Sequence, residues 1–97
     1  MKVQEQQLNN HLYYFKNKNC IIKISGACQV TFEVYRVNIW YDKKIGIIFI
    51  RDTRKVNKLN INITEIKLID INKNVVIIQL DELTIRISTQ RSNRWRK

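Results

Sequence analysis

The stretch Cys28-Gln29-Val30-Thr31-Phe32-Glu33-Val34-Tyr35-Arg36-Val37-Asn38-Ile39-Trp40-Tyr41 decides the fold. In its first half, Cys28, Val30, Phe32 and Val34 alternate with Gln29, Thr31 and Glu33. That is the period-two pattern of a half-buried strand. Val37, Ile39 and Tyr41 then resume the alternation in the opposite phase. A one-residue slip in a continuous strand would turn the apolar set to solvent, so a β-bulge near Tyr35-Arg36 is the expected repair.

Upstream, Cys20 to Ser25 reads as a strand that hairpins back through Ser25-Gly26-Ala27. Before it, residues 3–16 read as the one helix, with Leu8, Leu12 and Phe15 on one face of a 3.6-residue period. His11, the single histidine, falls on that helix and reads as a surface residue. Downstream, Asp42-Lys43-Lys44 is a polar turn, Ile45 to Arg51 a strand, and Asp52 to Lys58 a charged loop. Leu59, Ile61 and Ile63 alternate with asparagines, and Ile66 to Ile71 leads into the turn Asn72-Lys73-Asn74. Val75 to Leu80 and the run Leu83, Ile85, Ile87 flank a turn at Asp81-Glu82, with Leu83 expected to face inward.

The expected fold is therefore α+β and mainly β: an N-terminal helix followed by an antiparallel sheet or small barrel of six or seven short strands. The 97 residues make one domain. It is assigned to residues 1–88, with a basic C-terminal tail over residues 89–97, where no apolar pattern remains. The longest apolar run, Ile45 to Ile50, falls well short of the roughly 18 residues that span a bilayer. Residues 1–7 are too polar for a signal peptide. A cytoplasmic protein, or the soluble part of a longer one, is expected.

Cys20 and Cys28 are the only cysteines. In the hairpin register they stand about 13 Å apart along the strands, beyond disulfide reach. Two reduced, buried thiols are expected. One histidine and two cysteines without metal-ligand spacing make no zinc site. With only Gly26 and Gly46, a glycine-rich phosphate loop is impossible. No nucleophile-elbow sequence occurs, and Asp70, Asp81 and Glu82 sit at strand ends and turns, where solvated carboxylates are ordinary. The expectation is a non-enzymatic protein without cofactor or metal.

Charge carries the functional signal. The chain is +10, with 18 Lys and Arg against 8 Asp and Glu. Residues 43–58 hold Lys43, Lys44, Arg51, Arg54, Lys55 and Lys58 against Asp52 alone. Residues 86–97 hold Arg86, Arg91, Arg94, Arg96 and Lys97 with no acid. Two such blocks are the electrostatic footprint of a polyanion binder. Nucleic acid, DNA or RNA, is the expected partner, contacted at its phosphate backbone by these residues. Trp95, among the C-terminal arginines, can stack on an unpaired base or fold back over the sheet edge. Trp40 and Tyr41 are adjacent, so one of them faces away from the core, either packed on a second face or free as a platform. Anionic lipid and a protein partner in a larger assembly are the competing uses of the charge.

Two resemblances bear on these alternatives. The helix, Cys20-Ile21-Ile22-Lys23-Ile24, Val30-Thr31-Phe32-Glu33-Val34-Tyr35, Ile63-Thr64-Glu65-Ile66-Lys67 and Val75-Val76-Ile77-Ile78 together resemble the soluble domain of a minor pseudopilin of a Gram-positive competence pilus. That resemblance implies a structural subunit of a DNA-uptake assembly, extracytoplasmic and membrane-tethered through an apolar helix preceding the present chain. Thr53-Arg54-Lys55-Val56, leading into alternating strands, is similar to the start of the small RNA-binding carbon-storage regulators.

Overall fold

The computed structural model describes residues 7–54 and 58–89. Those residues form one short helix, α1 (Leu8–Leu12), continued by a 3-10 turn over Tyr13–Phe15, and eight strands. The strands are β1 (Cys20–Ser25), β2 (Gln29–Val34), β3 (Asn38–Asp42), β4 (Ile47–Arg51), β5 (Lys58–Asn62), β6 (Leu68–Ile71), β7 (Val75–Gln79) and β8 (Thr84–Thr89). The mainly β, antiparallel class is as expected, with more strands than the sequence suggests. They divide into a five-stranded sheet, in the order β2-β1-β8-β7-β6, and a three-stranded sheet, β3-β4-β5. The three-stranded sheet is thus inserted between two halves of the larger one. The pairing of β1 with β8, Cys20 opposite Thr89 and Ser25 opposite Thr84, stitches those halves together.

Alternation explains both sheets. In the larger one Ile22, Ile87 and Val76 stand side by side, as do Ile24, Ile85, Ile78 and Ile69, on the inner face. In the smaller one Ile39 and Ile50 pair, as do Tyr41, Ile48 and Ile61. All belong to, or pack against, a single core, in which ten of the eighteen buried apolar residues are isoleucine. β-branched side chains suit a pleated surface and hold one χ1 rotamer. Each contributes about 1.5–3 kcal/mol when fully buried.

The helix adds Leu8, Leu12 and Phe15 to this core, the face its periodicity marks. Asn9 fixes its position. The Asn9 amide donates to the Tyr41 carbonyl at 2.9 Å and accepts from the Tyr41 N–H at 2.8 Å. It therefore caps the outer edge of β3 as a neighbouring strand would. Residues 3–6 of the expected helix lie outside the described residues. Among those described, no helix is long and apolar enough to cross a membrane.

Several expectations are corrected. There is no bulge at Tyr35-Arg36: β2 ends at Val34 in one sheet and β3 begins at Asn38 in the other. β4 starts at Ile47, not Ile45, because Lys43 to Gly46 form the turn, closed by the Gly46 N–H on the Asp42 carbonyl at 2.8 Å. Gly46 has φ +69°, a left-handed conformation that suits glycine, and Ile45 is left 56% exposed. Leu83 lies in the β7–β8 turn and is 40% exposed. Its side chain covers Gly26 so closely that a Cβ there would sit 2.6 Å from Leu83 Cδ2 and 2.8 Å from the Glu82 carbonyl. β8 runs to Thr89, one residue into the expected tail. Residues 90–97 lie outside the described residues.

The cysteines are free, and only Cys20 is buried. Cys28 sits in the turn before Gln29 and is exposed. β2 is an edge strand whose burial deepens only toward Val34; Val30, on its inner face, remains 50% exposed.

Two outcomes follow from this packing. Asn9→Ala removes both clips on β3 and should lower unfolding free energy by about 1–2 kcal/mol in urea titration; an unchanged midpoint would show the helix docks through its apolar face alone. Burial pushes the Cys20 thiol up to about 11, with the Lys18 ammonium pulling weakly the other way. At about pH 8 a thiol reagent should therefore modify Cys28 rapidly and Cys20 only after denaturation, since the thiolate is the reactive form. Two fast thiols in the native protein would contradict this placement.

Candidate functional site

The passage from β2 to β3 also gathers cations onto one surface. Arg36 turns the chain with φ +51°. Its N–H donates to the Asn19 side-chain oxygen at 3.1 Å, and its carbonyl accepts from the Thr53 hydroxyl at 2.8 Å. The flanking residues are held as firmly. The Thr53 N–H donates to the Tyr35 carbonyl, the Val37 N–H to the Lys18 carbonyl, and the Asn17 N–H to the Val37 carbonyl at 2.7 Å. Asn17 is itself left-handed, with φ +65°. Three segments far apart in sequence, residues 16–19, 35–37 and 52–54, are thus tied into one corner.

A groove of about 500 Å³ opens there, between the corner and the outer face of the small sheet. Lys16, Arg36, Arg51 and Lys58 line it, with Asn17, Asn38, Trp40 and Thr53 between them. Asp52 is the one acid, 4% exposed, and its carboxylate accepts the Arg54 N–H at 2.6 Å. The lining therefore carries four cations against one carboxylate. Lys18 and Arg54 stand nearby, over the rings of Tyr14 and Tyr35, each at 4.4 Å.

The outer face of the small sheet supplies the groove's flat wall. Since Ile39 and Tyr41 point into the core, Trp40 must point out. It pairs across the strands with Phe49, and the two rings stack at 5.0 Å with 20° between their planes. Arg51, two residues beyond Phe49, lays its guanidinium 5.0 Å from the Phe49 ring and 5.9 Å from Trp40. The Arg51 guanidinium also donates to the Asn60 side chain at 2.8 Å and to the Ile50 carbonyl at 3.1 Å. Trp40, Phe49 and Arg51 form a stack whose rotamers are already set.

Of the residues singled out from the sequence, Arg51 and Lys58 pair across β4 and β5 and line the groove, while Arg54 lies over the Tyr35 ring outside its lining. Lys43 and Lys44 do not join them. They occupy the β3–β4 turn, and four residue steps of β4 separate that turn from Arg51, about 13 Å at the usual rise. Arg86 is also elsewhere. It lies between Ile85 and Ile87 on β8, beside Lys23 of β1, on the outer face of the large sheet and across the core from Trp40. Lys55, Arg91, Arg94, Trp95, Arg96 and Lys97 lie outside the described residues.

Sequence reasoning misses Lys16 and Arg36, which belong to a stretch with little net charge, and Phe49, which lies inside the apolar run Ile45 to Ile50. The last was findable. Pairing residues outward from the Lys43–Gly46 turn sets Asp42 opposite Ile47 and so Trp40 opposite Phe49. No group of three or more His, Cys, Asp or Glu side chains placed to hold a metal occurs among the described residues. Comparison of the chain with protein-family models, with curated proteins and with solved structures finds no match.

The corner's strain is testable separately from any ligand. Arg36→Val places a β-branched residue in a left-handed conformation and should cost about 1–2 kcal/mol. Arg36→Asn, whose side chain tolerates that region, should stay within about 0.5 kcal/mol of the parent. Equal losses in thermal unfolding would mean that the guanidinium, not the backbone, stabilises the turn.

Proposed function

We propose that the protein is a non-enzymatic nucleic-acid-binding domain that grips the phosphate backbone in the groove beside the β2–β3 corner. The convergence of Lys16, Arg36, Arg51 and Lys58 on one concave surface carries this reading. Cations scattered for solubility have no reason to meet in a groove, whereas a polyanion is attracted most strongly where they do. Lys and Arg neutralise phosphates, and the released counterions drive association.

Thr89 pairs with Cys20, the residue after Asn19, whose side chain holds Arg36. Thr89, the last described residue, therefore lies at the groove's end of the large sheet. Lys43, Lys44 and Arg86 have no part in this grip.

Titrating labelled single-stranded and duplex oligonucleotides across salt concentrations tests the proposal. Binding should weaken steeply with salt. Lys16→Ala combined with Lys58→Ala should lower affinity about tenfold at about 50 mM salt. The same pair should flatten the salt slope by about 1.4 for a single strand, at about 0.7 per phosphate contact. Lys43→Ala with Lys44→Ala, and Arg86→Ala, should each change affinity less than about threefold, through the long-range field alone. Absence of binding to any nucleic acid at about 50 mM salt would overturn the proposal.

A further inference from the structure

The indole of Trp40 is more than a hydrophobic patch beside the cations. We propose that the groove takes an unpaired strand, one base stacking on Trp40 while Lys16, Arg36 and Lys58 hold the flanking phosphates. This inference rests on the nucleic-acid reading of the same groove.

Trp40 is half-buried in a position where its neighbours on β3, Ile39 and Tyr41, already complete the core. Its ring is therefore not needed for packing under the sheet. Phe49 backs it at 5.0 Å and Arg51 braces the pair, so the ring is presented to the groove in one orientation. A preset ring loses little rotamer freedom when a ligand stacks on it. Arg51 itself is committed to Asn60 and the Ile50 carbonyl, which makes it the brace of the platform more than a free phosphate clamp.

Duplex bases have both faces covered by their neighbours and offer nothing to such a ring. An unpaired base has a free π-face, and stacking is tolerant of which base it is. Asn38 lies two residues before Trp40 on the same face and also lines the groove. Its amide offers one acceptor and two donors to the edge of the stacked base. The surface thus combines a backbone-tracking cation set with a stacking platform, the two components of single-strand binders.

The test uses the full chain carrying Trp95→Phe, so that emission reports Trp40 alone. Adding an oligo(dT) or oligo(U) decamer should quench that emission, and a duplex of equal phosphate number should quench it little. Trp40→Leu should lower affinity for the decamer about tenfold, the loss of one stacked base, and leave duplex affinity within about twofold. Trp40→Phe, the milder change for packing against Phe49, should give an intermediate loss, with far-ultraviolet circular dichroism confirming the fold of each variant. If the decamer and the duplex bind alike and Trp40→Leu and Trp40→Phe leave decamer affinity unchanged, while the Lys16 and Lys58 changes still weaken both, the single-strand inference fails and the nucleic-acid reading stands. If neither ligand binds at about 50 mM salt, the nucleic-acid reading itself fails.

Discussion

Arg36 sits in a left-handed conformation, its N–H held by the Asn19 side chain and its carbonyl by the Thr53 hydroxyl. That geometry reconciles two phases of alternation that one strand cannot hold. Val34 and Val37 are both buried although they stand three positions apart, an odd step that puts two residues of one strand on opposite faces. A continuous strand would have to expose one of them or insert a bulge. Here the chain leaves one sheet and enters another, and each sheet keeps its own apolar face inward. A left-handed non-glycine residue costs about 1–2 kcal/mol. The hydrogen bonds drawn from residues 17–19 and 53 offset that cost, each contributing about 0.5–1.5 kcal/mol net.

The local periods were readable because they are imposed by burial. Leu8, Leu12 and Phe15 mark the helical face, and the alternating runs mark the strands. Five of the six strand pairings join strands adjacent in sequence, which short turns enforce. The sixth, β1 with β8, was not readable. Nothing in Cys20 to Ser25 says which other strand lies on its far side, since hydrophobic alternation is the same on every candidate. The split into two sheets escaped for a related reason. A slip of phase has two repairs, a bulge or a change of sheet, and the choice depends on contacts with Asn19 and Thr53 made far away in the chain.

The candidate site was legible to a similar depth. Arg51 and Lys58 are close in sequence and stand opposite each other on β4 and β5. Lys43 and Lys44 share their block in sequence but lie away from them in space, since an extended strand carries charge away at about 3.3 Å per residue. A block of charge in sequence stays a block in space only where the chain is compact. Lys16 and Arg36 show the converse, meeting the others only through the corner's hydrogen bonds.

The same corner that settles the fold gathers these cations, and that coincidence has an energetic consequence. Lys16, Arg36, Arg51 and Lys58 repel one another across the groove they line. A single buried carboxylate, Asp52, lies among them, and it is engaged by the Arg54 N–H. Like charges at a solvated surface each cost on the order of 1 kcal/mol or less. The fold tolerates this because the corner is anchored by backbone hydrogen bonds and by Val37 in the core, neither of which depends on the side-chain charges. On the proposed nucleic-acid reading, a bound polyanion would reverse the sign of those contacts and so link binding to folding stability. In this way one turn settles where the chain goes and where its charge is concentrated.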